Sequence, residues 1–149
     1  MARIKGLTIS TEKTAIDTAN CTQNCTLRIV ARISTPGGKR IKLASGIIIG
    51  QGWWRTDANG EGAVIVTGNR SPEHNARLQA SNDFKAWKAR IMAVLNLVPR
   101  DAQAIRQAMA VASTMSHEDL ASSTPATFAK QIAEYEAAMA ATKSISQYL

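Results

Sequence analysis

Six cationic side chains, Arg28, Arg32, Lys39, Arg40, Lys42 and Arg55, fall in a stretch with no acidic residue between Asp17 and Asp57. Guanidinium and ammonium groups at that density attract polyanions through phosphate contacts and counterion release. An arginine can also meet the O6 and N7 edge of guanine, which adds sequence readout to charge. The formal net charge of the chain is +7. It is unevenly placed: from His117 onward, Glu118, Asp119, Glu134 and Glu136 meet only Lys130 and Lys143. The basic excess therefore belongs to the first half.

Other chemistry is poorly provided for. There is no P-loop glycine pattern and no H-E-x-x-H. Cys25 and His74 could be combined on paper, but nothing in their spacing orients one toward the other, and catalytic groups need mutual orientation. Cys21 and Cys25 form a lone C-x3-C pair, with His74 and His117 far away in sequence. Tetrahedral zinc wants four ligands, so no metal and no cofactor is expected, and no catalytic residue is assigned. Ile47, Ile48 and Ile49 make a strongly apolar run, and no apolar run exceeds five residues, far short of the roughly 20 residues a membrane span needs. A cytoplasmic protein without a membrane partner is expected.

The elements that must position the cations follow from period-two patterning. Leu27, Ile29, Ala31 and Ile33 alternate with Arg28, Val30 and Arg32, and Ile41, Leu43 and Ser45 alternate with Arg40, Lys42 and Ala44. Strand side chains point to opposite faces in turn, and Pro36-Gly37-Gly38 between the runs supplies a turn. The spacing predicts a hairpin with one apolar face and one face carrying Arg28, Arg32, Arg40 and Lys42. Such a ribbon fits a DNA major groove. It equally describes a half-buried sheet with a solvated charged face.

The remaining chain suggests an α+β fold: a three-stranded antiparallel sheet packed on a long helix, followed by short C-terminal helices. Residues 1–25 read as a flexible basic arm or an extra strand at a sheet edge. Trp53 or Trp54 is expected to cover the end of the apolar sheet face, and Ala63 to Thr67 is expected to be the third strand. Ser71-Pro72-Glu73 opens a helix reaching about Leu97. Its stripe is Phe84, Trp87, Ile91, Val94, Leu95 and Val98, extended one turn by Leu78; Arg77, Lys85, Lys88 and Arg90 read as solvated charges. A helix from Ala102 to about Ala112 follows Pro99, and Ser113 to Thr124 reads as a linker. Thr124 caps a last helix with Pro125 at its first position and Phe128, Ile132, Tyr135 and Met139 as its stripe. The expected organisation is thus an N-terminal segment (1–25), an α+β domain (26–112), a linker (113–124) and the start of a helical domain (125–149).

These residues, in this order, resemble the N-terminal arm-binding domain of phage-type and Bacteroides-type integrases of the tyrosine recombinase family. The features are Leu27-Arg28-Ile29, the turn ending in Gly38-Lys39-Arg40, a second strand closing on Leu43-Ala44-Ser45-Gly46-Ile47, a following tryptophan, and a helix carrying Asn75, Leu78 and Ile91. Asp101 precedes a short helix. Thr127-Phe128-Ala129-Lys130-Gln131-Ile132 is similar to the opening of the family's core-binding domain, and Lys143-Ser144-Ile145-Ser146-Gln147-Tyr148 to the segment after that domain's first helix. The paired tryptophans and the long N-terminal segment depart from the pattern. The family's catalytic arginines, histidine and tyrosine have no matching positions, so the resemblance implies a fragment or stand-alone relative that does not cut DNA by itself.

The resemblance implies recognition of accessory arm sites in double-stranded DNA by the sheet face, and it leaves room for self-association on the DNA. On this reading Arg28, Arg32, Arg40 and Lys42 are the principal contacts, with Lys39 and Arg55 as marginal phosphate partners. Two other readings stand beside it: a small phage or plasmid protein binding RNA or single strands, and a non-enzymatic protein-interaction domain with incidental charge.

Overall fold

The computed structural model describes residues 6–14, 26–58, 61–68 and 70–147. Cys21 and Cys25 lie outside them. The fold is α+β, as expected. Strands β1 (Leu7–Lys13), β2 (Thr26–Ser34) and β3 (Arg40–Gly50) form an antiparallel sheet in the order β1-β2-β3. Strands β4 (Trp54–Thr56) and β5 (Gly62–Val64) form a separate two-stranded sheet. Four helices follow: α1 (His74–Leu97), α2 (Ala102–Ala112), α3 (His117–Ser122) and α4 (Pro125–Gln147). The chain divides into two compact units, Met1–Lys88 and Ala89–Leu149, with the division inside α1.

The third strand of the main sheet is not the one the sequence suggested. Residues 7–13, within the segment left open between arm and strand, pair along β2 from Leu7↔Ile33 to Lys13↔Leu27. Ala63 and Val64, expected in that sheet, instead pair with Arg55 and Trp54. The reason is local closure. The Asp57 N–H donates to the Glu61 carbonyl at 2.8 Å, and the Glu61 N–H donates to Asp57 Oδ1 at 2.9 Å. A tight turn of this kind costs little loop entropy and ties β5 back to its immediate predecessor.

The β2–β3 hairpin turns at Thr35 to Lys39, where the Thr35 N–H donates to the Lys39 carbonyl at 2.8 Å and Gly37 and Gly38 take positive φ. Its apolar face is buried: Leu27, Ile29, Ala31, Ile33, Ile41, Leu43 and Ile49 are all core. A bulge interrupts the ladder. Arg28 faces Ile48 and Val30 faces Ala44, so two steps on β2 match four on β3. The extra residues bend away at Gly46, with φ +76, and the Ser45 hydroxyl donates to the Ile29 carbonyl at 2.7 Å. That bond satisfies an acceptor the interrupted ladder leaves over. Because the insertion is even in number, Ile49 stays on the buried face and Ile48 stands out on the other, 60% exposed.

Trp53 and Trp54 both take part in packing. Trp54 meets Phe84 of α1 edge to face, with ring centroids 5.3 Å apart. The Arg77 guanidinium lies 5.1 Å from the centroid of Trp53. Arg77 is not the solvated charge its spacing suggested. Its side chain is largely covered; it donates to the Ile65 carbonyl at 3.3 Å and pairs with Glu73 at 2.7 Å. His74 Nδ1 donates to the Thr67 carbonyl at 2.7 Å. These contacts anchor the start of α1 to the segment after β5. Phe84 and Trp87 are buried, but Leu78 is 41% exposed and does not extend the stripe.

In the second unit, Asp101 caps α2 by accepting from the Ala104 N–H at 3.0 Å. The polar stretch expected as a linker contains α3. Ser116 caps it by accepting from the Asp119 N–H, and Leu120 is buried. The Ser116-x-x-Asp119 spacing is the sequence signal for that cap. Helix α4 starts at Pro125 behind Thr124, packs against α2, and buries Phe128; Met139, further along the expected stripe, is 53% exposed.

Candidate nucleic-acid interface

Directly opposed residues in an antiparallel pair share a face. The register therefore places Thr8, Arg32 and Lys42 in one row across the unburied face of the main sheet, Ser10, Val30 and Ala44 in the next, and Glu12, Arg28 and Ile48 in the third. Arg40, opposite Ser34, continues the face toward the turn. Four of the six cations singled out from the sequence thus share one surface.

The structure adds a residue that the cation pattern left out. Glu12 stands among three of those cations. Its carboxylate lies 2.7 Å from Lys42 Nζ, 3.3 Å from Arg32 Nη2 and 3.5 Å from Arg28 Nε. Arg32 Nη1 also donates to Ser10 Oγ at 3.0 Å. The hydrogen bond from Lys42 is the largest cause holding the Glu12 carboxyl below its ordinary value of 4.5; desolvation opposes it in part, and the Coulombic pull of Lys42, Arg28 and Arg32 adds to it. The signal for Glu12 was the alternation within Leu7 to Lys13, which puts Thr8, Ser10 and Glu12 on one side.

This cluster also accounts for Val30. Lys42 and Glu12 come from the first and third rows, so their ion pair crosses the small residues of the middle row. Val30, in that row, is completely buried although it belongs to the polar face. Long charged side chains cover apolar surface with their stems in this way while their heads stay in water. The side chains of Arg28, Arg32 and Lys42 remain 44%, 36% and 48% exposed.

Lys39 and Arg40 are exposed at the turn and make no ion pair among the described residues. Arg55 is exposed on β4, opposite Ala63, and so belongs to the second sheet. The register does not join it to the other five. Among the described residues, no three His, Cys, Asp or Glu side chains come together as metal ligands. No described helix is long and apolar enough to cross a membrane.

No known protein-family model matches the chain, and neither a curated protein nor a solved structure matches it.

Proposed function

We propose that the main sheet binds double-stranded DNA through its cationic face, as an arm-site recognition module of the tyrosine-recombinase integrase type. The observation carrying this reading is the register that sets Arg28, Arg32, Arg40 and Lys42 on one face of a three-stranded sheet. A two-stranded antiparallel ribbon is one of the two backbone forms that fit the major groove, and β2 and β3, which carry all four cations, form such a pair within the sheet. In this reading Lys39 and Arg40 meet phosphates at the turn and set the docking, while Arg28, Arg32 and Lys42 reach phosphates or base edges. The exposed Ile48 beside Arg28 provides an apolar contact of the kind that meets a thymine methyl. Arg55, on the second sheet, is left as a marginal phosphate partner.

Single-strand binding has less support. Such proteins stack bases on free aromatic faces, whereas Trp54 packs on Phe84 and Trp53 carries Arg77.

Titration of labelled duplex DNA, of random sequence and of sequence flanking the encoding gene, at two salt concentrations, tests the proposal. Binding should weaken steeply with salt. Arg32→Ala should cost about 1–3 kcal/mol where the arginine reads a base, and Lys39→Ala should reduce the logarithmic salt slope by about 1. A well-folded protein that fails to bind duplex at low salt would remove the DNA reading.

A further inference from the structure

Glu12 stands where three cations of the sheet face converge. Lys42 Nζ reaches both of the carboxylate oxygens, at 2.7 and 2.9 Å, while Arg32 adds a contact to one at 3.3 Å and Arg28 to the other at 3.5 Å. A guanidinium carries five N–H donors and an ammonium three, and a carboxylate only accepts. The cluster is therefore richer in donors than its resident anion can use. It is also closed by a group with the charge and hydrogen-bonding character of a phosphate oxygen pair. Three cations against one carboxylate leave two net positive charges at this spot.

We propose that Glu12 is a built-in competitor for DNA phosphate: it holds Arg28, Arg32 and Lys42 together in the free protein and weakens duplex binding by occupying their donors. This rests on the DNA reading of the same face. To engage a phosphate through the cluster, DNA must displace the Glu12 carboxylate or bind beside its charge. Either way the interaction is weaker than three unopposed cations would give. An arginine turned toward a base edge must leave the same carboxylate, so base-reading contacts meet the same competition.

Two substitutions test this by different routes. Glu12→Gln keeps the shape and removes the charge; Glu12→Thr removes the carboxylate with a residue suited to a strand. Each should bind a random-sequence 20-base-pair duplex about three- to tenfold more tightly than wild type near 0.1 M salt. The logarithmic salt slope should steepen by about 0.9 for each further phosphate engaged. Melting curves check that each variant is folded. Unchanged or weaker binding by a folded variant, with the wild type still binding, overturns the role of Glu12 and leaves the DNA reading standing. Failure of the wild type and both variants to bind at low salt overturns the DNA reading and this inference with it.

Discussion

Trp54 lies over the backbone of Gly62: a β-carbon built at Gly62 would stand 1.8 Å from Cζ2 of the indole and 2.5 Å from Cε2. The same ring meets Phe84 edge to face, so it is held between the β5 backbone and α1. Nothing larger than glycine fits without moving the ring off Phe84. Gly62→Ala should therefore destabilise the protein by about 1–3 kcal/mol, the usual cost of overpacking. Gly52→Ala, whose added carbon meets no atom within 4 Å, should melt close to wild type. Thermal or urea denaturation of the pair checks this; equal melting of both would refute the clamp.

Gly46 is required for a different reason. A side chain there has open space, but the backbone sits at φ +76. Gly46→Ala should cost about 1–2 kcal/mol from backbone strain alone. Gly46→Asn should cost less, because asparagine tolerates that region. A denaturation series ranking Gly, Asn and Ala in that order is the expected result.

Burial separates two apolar residues of α1 that the spacing alone treats alike. Trp87 is 9% exposed and Leu78 is 41% exposed. Trp87→Ala should lower stability by roughly 3–5 kcal/mol, while Leu78→Ala should stay within about 0.5 kcal/mol of wild type. Chemical denaturation distinguishes them, and a large loss for Leu78→Ala would contradict the placement of that face.

Glu12 should titrate below its ordinary value of 4.5. A carboxyl whose folded value is depressed contributes stability above its unfolded value and loses that contribution as pH falls through the folded one. The Lys42, Arg32 and Arg28 cluster should therefore be intact at neutral pH and come apart only below pH 4.5. Carbon-detected NMR of the Glu12 carboxyl reads the midpoint directly. Lys42→Ala should raise that midpoint more than Arg28→Ala or Arg32→Ala, because the Lys42 hydrogen bond is the largest cause of the shift. An equal response to all three substitutions would contradict that ranking.

Much of the local structure was legible in the chain itself. The β2–β3 hairpin, with its turn and its two faces, follows from period-two alternation around Pro36-Gly37-Gly38. The end of α1 before Pro99, the start of α2 behind Asp101 and the start of α4 behind Thr124 follow from capping groups a few residues from what they cap. Helix α3 carried the same kind of mark in Ser116 and Asp119, beneath a polar composition that resembled a linker. All of these are settled by interactions over a few residues, so neighbouring letters contain them.

The rest depended on distant partners. Alternation says which side chains of a strand share a face, but not which strand lies beside it. Leu7–Lys13 and the run from Ala63 were both suited to be the third strand, and the tight Asp57–Glu61 turn assigned the second to β4. Only that pairing carries Glu12 to Arg28, Arg32 and Lys42, and it places Arg55 on another sheet. Arg77 changed from a surface charge to the cover of Trp53 for the same reason. The hydrogen-bonding edges of strands are chemically alike, so the choice between partners is made by loop closure and side-chain packing across the fold. The sequence by itself determined the cationic face; the tertiary pairing decided which cations share it and which carboxylate stands among them.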